Sequence, residues 1–163
     1  MRLWEVLRDD FARPAPVSAP VTHSGDTPVS LDRIRKWCEV AARAAWAKGG
    51  EDSLILSVGK VLAITDAFVI TSGSNPRQVR TIVEEIEAQV KRAGGPAPIR
   101  IEGLDDARWV LMDYGDFVVH VLLEEARDFY RLERLWADAE VWPWQVEPGG
   151  QPPAVEDAVA SGG

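Results

Sequence analysis

The stretch "WVLMDYGDFVVHVLLEEARDFYRLERLW" (109–136) sets two acids, Asp113 and Asp116, close to a histidine, His120, and an indole, Trp109. Paired carboxylates can hold a divalent cation for phosphoryl or nucleotidyl transfer, and a histidine beside them can serve as ligand or base. Such chemistry needs a place for phosphate. The segment "ITSGSNPRQV" (70–79) reads as strand, turn and helix start, where free N–H groups suit an anion, and Arg77 falls in the first turn. Neither phosphate signature is complete. Leu54 stands where a P-loop ahead of Gly59-Lys60 has its first glycine, and Gly73 lacks the two companions of a dinucleotide fingerprint.

Other chemistries fare no better. His120 and Glu124 are four residues apart, a spacing that aligns ligands on a helix but spreads them along a strand. His23 lies in a Pro-rich segment. Cys38 falls on the apolar stripe of a helix and reads as core. Ser72 and Ser74 flank Gly73 without the second glycine of a nucleophile elbow. The residues assemble no catalytic, cofactor or metal set.

The elements that position these residues follow from period and punctuation. Ser30 caps a helix to about Lys48 with Leu31, Ile34, Cys38, Ala41 and Ala45 as its stripe, ended by Gly49-Gly50. Residues 53–58 and 66–73 read as strands, the second apolar enough for burial on both faces. Asn75 as N-cap, Pro76 at the first position and Gln78 as capping partner open a helix that Gly94-Gly95 stops. Strands at 99–102, 108–113 and 116–123 and a helix over 126–137, with Phe129, Leu132, Leu135 and Trp136 turned inward, complete the order αββαβββα. This order predicts an α/β fold, a mixed sheet of about five strands with helices packed on it.

If Tyr114-Gly115 is the hairpin turn, Asp113 faces Asp116, Leu111 faces Val118 and Trp109 faces His120. One face then carries Val110, Met112, Phe117 and Val119 and belongs against the helices. The other carries Trp109, Leu111, Asp113, Asp116, Val118 and His120, and reads as a recognition surface. Trp concentrates at interfaces, and opposed carboxylates are relieved by a basic partner.

Composition bounds the setting. The chain of 163 residues fits one domain, and no run approaches the roughly 18 apolar residues of a membrane span. "MRLWEVLRDDFARP" does not read as a secretory signal, and Leu3, Trp4, Leu7 and Phe11 are expected on one side of a short helix. One cysteine cannot form an internal disulfide, so a cytoplasmic setting is expected. The net charge of −8 is concentrated beyond Arg134, where five acids meet no base; residues 30–137 carry 17 acids against 15 bases. That balance argues against a dedicated nucleic-acid site. Residues 1–29 and the acidic, Pro/Gly-rich 140–163 are expected to be largely disordered around a domain at 30–139.

"TDAFVITSGSNPRQV" (65–79), "IEG" (101–103), "WVLMDYGDFVVHV" (109–121) and "RDFYRLERLW" (127–136), in unbroken order, resemble the ribosomal silencing factor family, also called Iojap-related. Ala67 and Asn75-Pro76 depart from its usual residues. The resemblance implies a nucleotidyltransferase-like topology without the catalytic set and therefore no enzyme. It implies docking on the large ribosomal subunit, at its ribosomal protein fourteen, which blocks subunit association and represses translation under nutrient limitation. It places the partner surface at Glu102, Trp109, Asp113, Tyr114 and Asp116, to which the hairpin face adds Leu111 and His120. A homodimer is also implied. Two alternatives stand beside it: a large-subunit assembly factor at the same place, and a nucleotide-handling enzyme using Asp113, Asp116 and Arg77.

Overall fold

The computed structural model describes residues 29–60 and 65–144. The expectations for residues 1–28 and 145–163, an amino-terminal helix and two disordered tails, lie outside these residues. Helix α1 (Leu31–Ala47) begins where Ser30, in extended backbone, accepts the Arg33 N–H on its Oγ at 3.4 Å. Ile34, Trp37, Cys38, Ala41 and Ala45 recur every three or four residues and are buried. Leu31, expected on that stripe, is 55% exposed; Ile34, one turn on, is the first side chain covered.

Strand β1 (Glu51–Ser57) pairs antiparallel with β2 (Ala67–Gly73), whose seven residues are all buried. Helix α2 (Pro76–Arg92) comes next. Asn75 Oδ1 accepts the Gln78 N–H at 2.8 Å, while Gln78 Oε1 accepts the Ser74 N–H at 2.7 Å. The capping partner thus reaches one residue further back than expected. Gln78 Nε2 also donates to Lys48 O at 3.1 Å, which ties the start of α2 to the end of α1. Val79, Ile82, Val83, Ile86 and Val90 form the buried stripe of α2.

Strands β3 (Arg100–Glu102), β4 (Trp109–Asp113) and β5 (Phe117–Leu123) run antiparallel to one another in turn, and β5 lies parallel to β2. A parallel pair needs a crossover, and α2 supplies its bulk. The last helix is two short ones, α3 (Glu124–Tyr130) and α4 (Leu132–Leu135). Arg131 between them has φ 47°, a left-handed conformation that ends one helix and starts the next. Two inward-facing expectations fail on this break, since Phe129 is 74% and Leu135 54% exposed.

A sixth strand, β6 (Glu140–Val141), pairs with β1. Trp142 then buries its side chain and donates its backbone N–H to Ile55 O at 2.9 Å. Residues 140–144, expected in an acidic tail, are part of the folded domain. The strand order is β3-β4-β5-β2-β1-β6, a mixed α/β sheet of six strands where about five were expected. β2 lies inside it, flanked on both sides, and this explains the apolar run.

Candidate functional site

The β4–β5 hairpin turns on Gly115 and Asp116. Tyr114 donates its N–H to Phe117 O at 3.0 Å. Gly115 has φ 85° and Asp116 no positive φ, the pattern of a type II′ turn. The expected Tyr114-Gly115 turn would have forced positive φ on a tyrosine; the observed one gives it to glycine. Leu111 therefore faces His120, Asp113 faces Val118 and Trp109 faces Leu122. Every expected partner has moved by two residues. A shift of two leaves each side chain on its own face, so the division into faces holds although the pairs do not.

The first face carries Val110, Met112, Phe117 and Val119, all buried. Trp37 of α1 meets Phe117 there at 6.3 Å between ring centroids. Tyr114 belongs to this face: it stacks on Phe117 at 4.5 Å and is 4% exposed. Burial, and then the Glu87 carboxylate of α2, push its hydroxyl pKa up. The structure thus separates Tyr114 from the other candidates.

The second face brings Trp109, Leu111, Asp113 and His120 together, and Glu102 joins them opposite Leu111. It was expected to be open, but α3 and α4 roof it. Tyr130 lies 5.1 Å from Trp109, and Trp136 meets Phe68 edge-on at 5.7 Å. Phe68 in turn meets His120 edge-on at 4.8 Å. Trp109 is left 7% exposed, Leu111 4% and His120 1%. Alternation reveals which residues share a face; it does not reveal what covers that face.

Beneath the roof, Trp109 Nε1–H donates to His120 Nδ1 at 3.1 Å. An indole N–H only donates, so Nδ1 is the acceptor and Nε2 carries the imidazole proton. Burial holds the His120 pKa down to about 3 and keeps the ring neutral. Its Nε2 is buried without a hydrogen-bond partner.

Acids remain at the rim. Asp113 Oδ1 accepts the Gly115 N–H at 2.8 Å, and its Oδ2 lies 3.3 Å from Arg100 Nε. The same Arg100 Nε is 3.8 Å from Glu102 Oε1. Asp113 and Asp116 are not directly opposed as expected, because the register sets Val118 opposite Asp113. Asp116 bears instead on Asp66, whose carboxyl burial, and then the Asp116 charge, push upward. Gly103, directly after Glu102, has φ 89°, and a Cβ there would overlap the Trp109 carbonyl oxygen. The "IEG" triplet is what allows β3 to approach β4.

Two arginines were missed. Arg100 alternates with Glu102 along β3, a signal available in the sequence. Arg127 is buried, donates to Glu51 O at 3.2 Å and Ser72 Oγ at 3.4 Å, and pairs with Glu133 at 3.6 Å. Glu133 is six residues on, but Glu51 and Ser72 are distant in the chain, and no local pattern points to them. The residues of the enzyme alternative are not assembled. Asp113 and Asp116 lie by the Ala67 end of β2, where Phe117 pairs with Ala67, whereas Arg77 stands beyond the Gly73 end. At about 3.3 Å per residue, the length of β2 puts roughly 20 Å between them.

Fold and hairpin together define an α/β domain whose singled-out residues, Tyr114 apart, lie on one face of strands β3 to β5, partly under a helical roof. Among the described residues, no group of three or more His, Cys, Asp or Glu is placed to hold a metal ion. A family model, RsfS, described as "Ribosomal silencing factor during starvation", matches residues 32–161, and the chain belongs to that family. It is 42% identical over 101 residues to a ribosomal silencing factor of Bacillus subtilis, a match covering 62% of this chain and 85% of that protein. The mouse protein "Mitochondrial assembly of ribosomal large subunit protein 1" is 32% identical over 91 residues, covering 55% of this chain and 40% of its own. A crystallised protein of Chromobacterium violaceum superposes with a TM-score of 0.61 at 29% identity, covering 73% of this chain and 97% of that one.

Proposed function

We propose that this chain is a translation repressor that docks on the large ribosomal subunit, at its ribosomal protein fourteen, and blocks joining of the small subunit when nutrients are limiting. It acts by occupying space, without catalysis, in the cytoplasm. The observation that carries this reading is the set of carboxylates Glu102, Asp113 and Asp116, which outnumber the one Arg100 among them and run from the Trp109 face toward the hairpin turn. Opposite potentials speed encounter and fix orientation, so an acidic rim suits a basic ribosomal surface. Family membership supports the ribosomal setting. Self-association is the second contact the family resemblance implies, and gel filtration at two concentrations reads it directly.

The test is sedimentation of separated subunits with purified protein in magnesium that permits joining. Wild type should travel with the large subunit and shrink the joined peak, and Glu102→Lys should do both less well. A wild-type protein that stays at the top of the gradient sinks the reading. Trp109→Ala is a poorer probe, because truncating a buried indole costs about 3–5 kcal/mol of stability by itself.

The mouse relative's name favours a second reading, assistance in large-subunit assembly. Depletion of the protein separates the two. Accumulated large-subunit precursors would support assembly; mature subunits that join too readily in starved cells would support silencing.

A further inference from the structure

The roof over the hairpin face carries a side chain that the core does not use. Rings run outward from the buried histidine in an unbroken series: His120 to Trp109 at 5.9 Å, Trp109 to Tyr130 at 5.1 Å, Tyr130 to Phe129 at 5.0 Å. Exposure rises along it from 1% at His120 to 74% at Phe129. Trp109 is therefore the inner rung, and Phe129 is the ring that a partner approaching this face meets. Glu125, also exposed, precedes Phe129 by four residues on α3, so the two share one side of the helix. No ion pair among the described residues involves Glu125.

A carboxylate beside an exposed aromatic ring matches one side chain above others. A guanidinium is planar, stacks on the ring and donates to the carboxylate at once, which an ammonium cannot do as well. Resting on the docking reading above, we infer that Phe129 anchors the docked protein and that Phe129 with Glu125 receives an arginine of its basic surface. Glu102, Asp113 and Asp116 lie further along the same hairpin, toward its turn, so one basic protein surface can span both sets of carboxylates.

Pelleting with isolated large subunits tests this on the full chain, using wild type, Phe129→Ala, Phe129→Tyr and Glu125→Gln. Phe129→Ala should weaken binding at least about tenfold, as loss of an interface anchor does. Its melting temperature should stay near that of wild type, because the ring is exposed. Phe129→Tyr keeps a ring and should bind well, and Glu125→Gln should bind less tightly with a shallower salt dependence. If wild type pellets and Phe129→Ala pellets within about twofold of it, the anchor assignment is overturned while docking stands. If wild type itself does not pellet, the docking reading fails first.

Discussion

His120 ties folding to pH. Its ring is neutral in the fold, with a pKa held down to about 3, whereas in an unfolded chain it takes up a proton near pH 6.5. Between those values the unfolded state binds more protons, so stability falls as pH drops below about 6.5 and is unaffected above it. Each unit of that fall costs up to about 1.4 kcal/mol, or about 2 kcal/mol between pH 7.5 and 5. Urea unfolding at the two pH values should show this loss in wild type and most of it removed in His120→Gln, which keeps an acceptor for the Trp109 N–H. Equal losses in both proteins would place the acid sensitivity in the carboxylates.

Among the elements, the α3–α4 pair is held in the least ordinary way. Neither helix has a side-chain cap at its start, and Arg131 between them occupies a left-handed conformation that costs an L-residue about 1–2 kcal/mol. Glycine removes that cost but adds freedom to the unfolded chain, so Arg131→Gly should stabilise by a net few tenths to about 1 kcal/mol. Chemical denaturation measures the change, and a loss of stability would mean that the Arg131 Nε–H bond to Asp128 O, at 3.1 Å, outweighs the strain. This break is also where the sequence misled. The period of "RDFYRLERLW" fits one helix, yet the turn at Arg131 rotates α4 relative to α3 and leaves Phe129 and Leu135 outside. In α1 and α2, by contrast, caps and glycine stops gave bounds within a residue of those observed, and Leu31 alone of the expected stripes stands exposed.

For the molecule as a whole, the late segment matters as much as the hairpin. Residues 140–144 lie along β1. Trp142 is 4% exposed with the Arg35 guanidinium 5.6 Å from its ring, and Trp144 Nε1–H donates to Ser53 O at 2.9 Å. This strap covers the edge that β1 would otherwise present to another strand. Trp142→Ala should cost about 3 kcal/mol by opening a cavity against α1. Thermal melting reads the loss, and a melt within a degree of wild type would show that the strap is dispensable to the fold.

The fold class, the caps of α1 and α2, the buried β2 strand and the division of the hairpin into two faces can all be read along the chain. These are decided by local period and capping chemistry. The sequence also carried the family resemblance, because successive motifs stand in order along the chain. The folded molecule fixed the hairpin register, through the positive φ that Gly115 accepts. Only it placed Tyr114 against α2, buried Trp109 and His120 beneath α3 and α4, and drew Trp142 onto the sheet. The last three placements depend on contacts between segments distant in the chain, and no local pattern encodes which element will cover an apolar face.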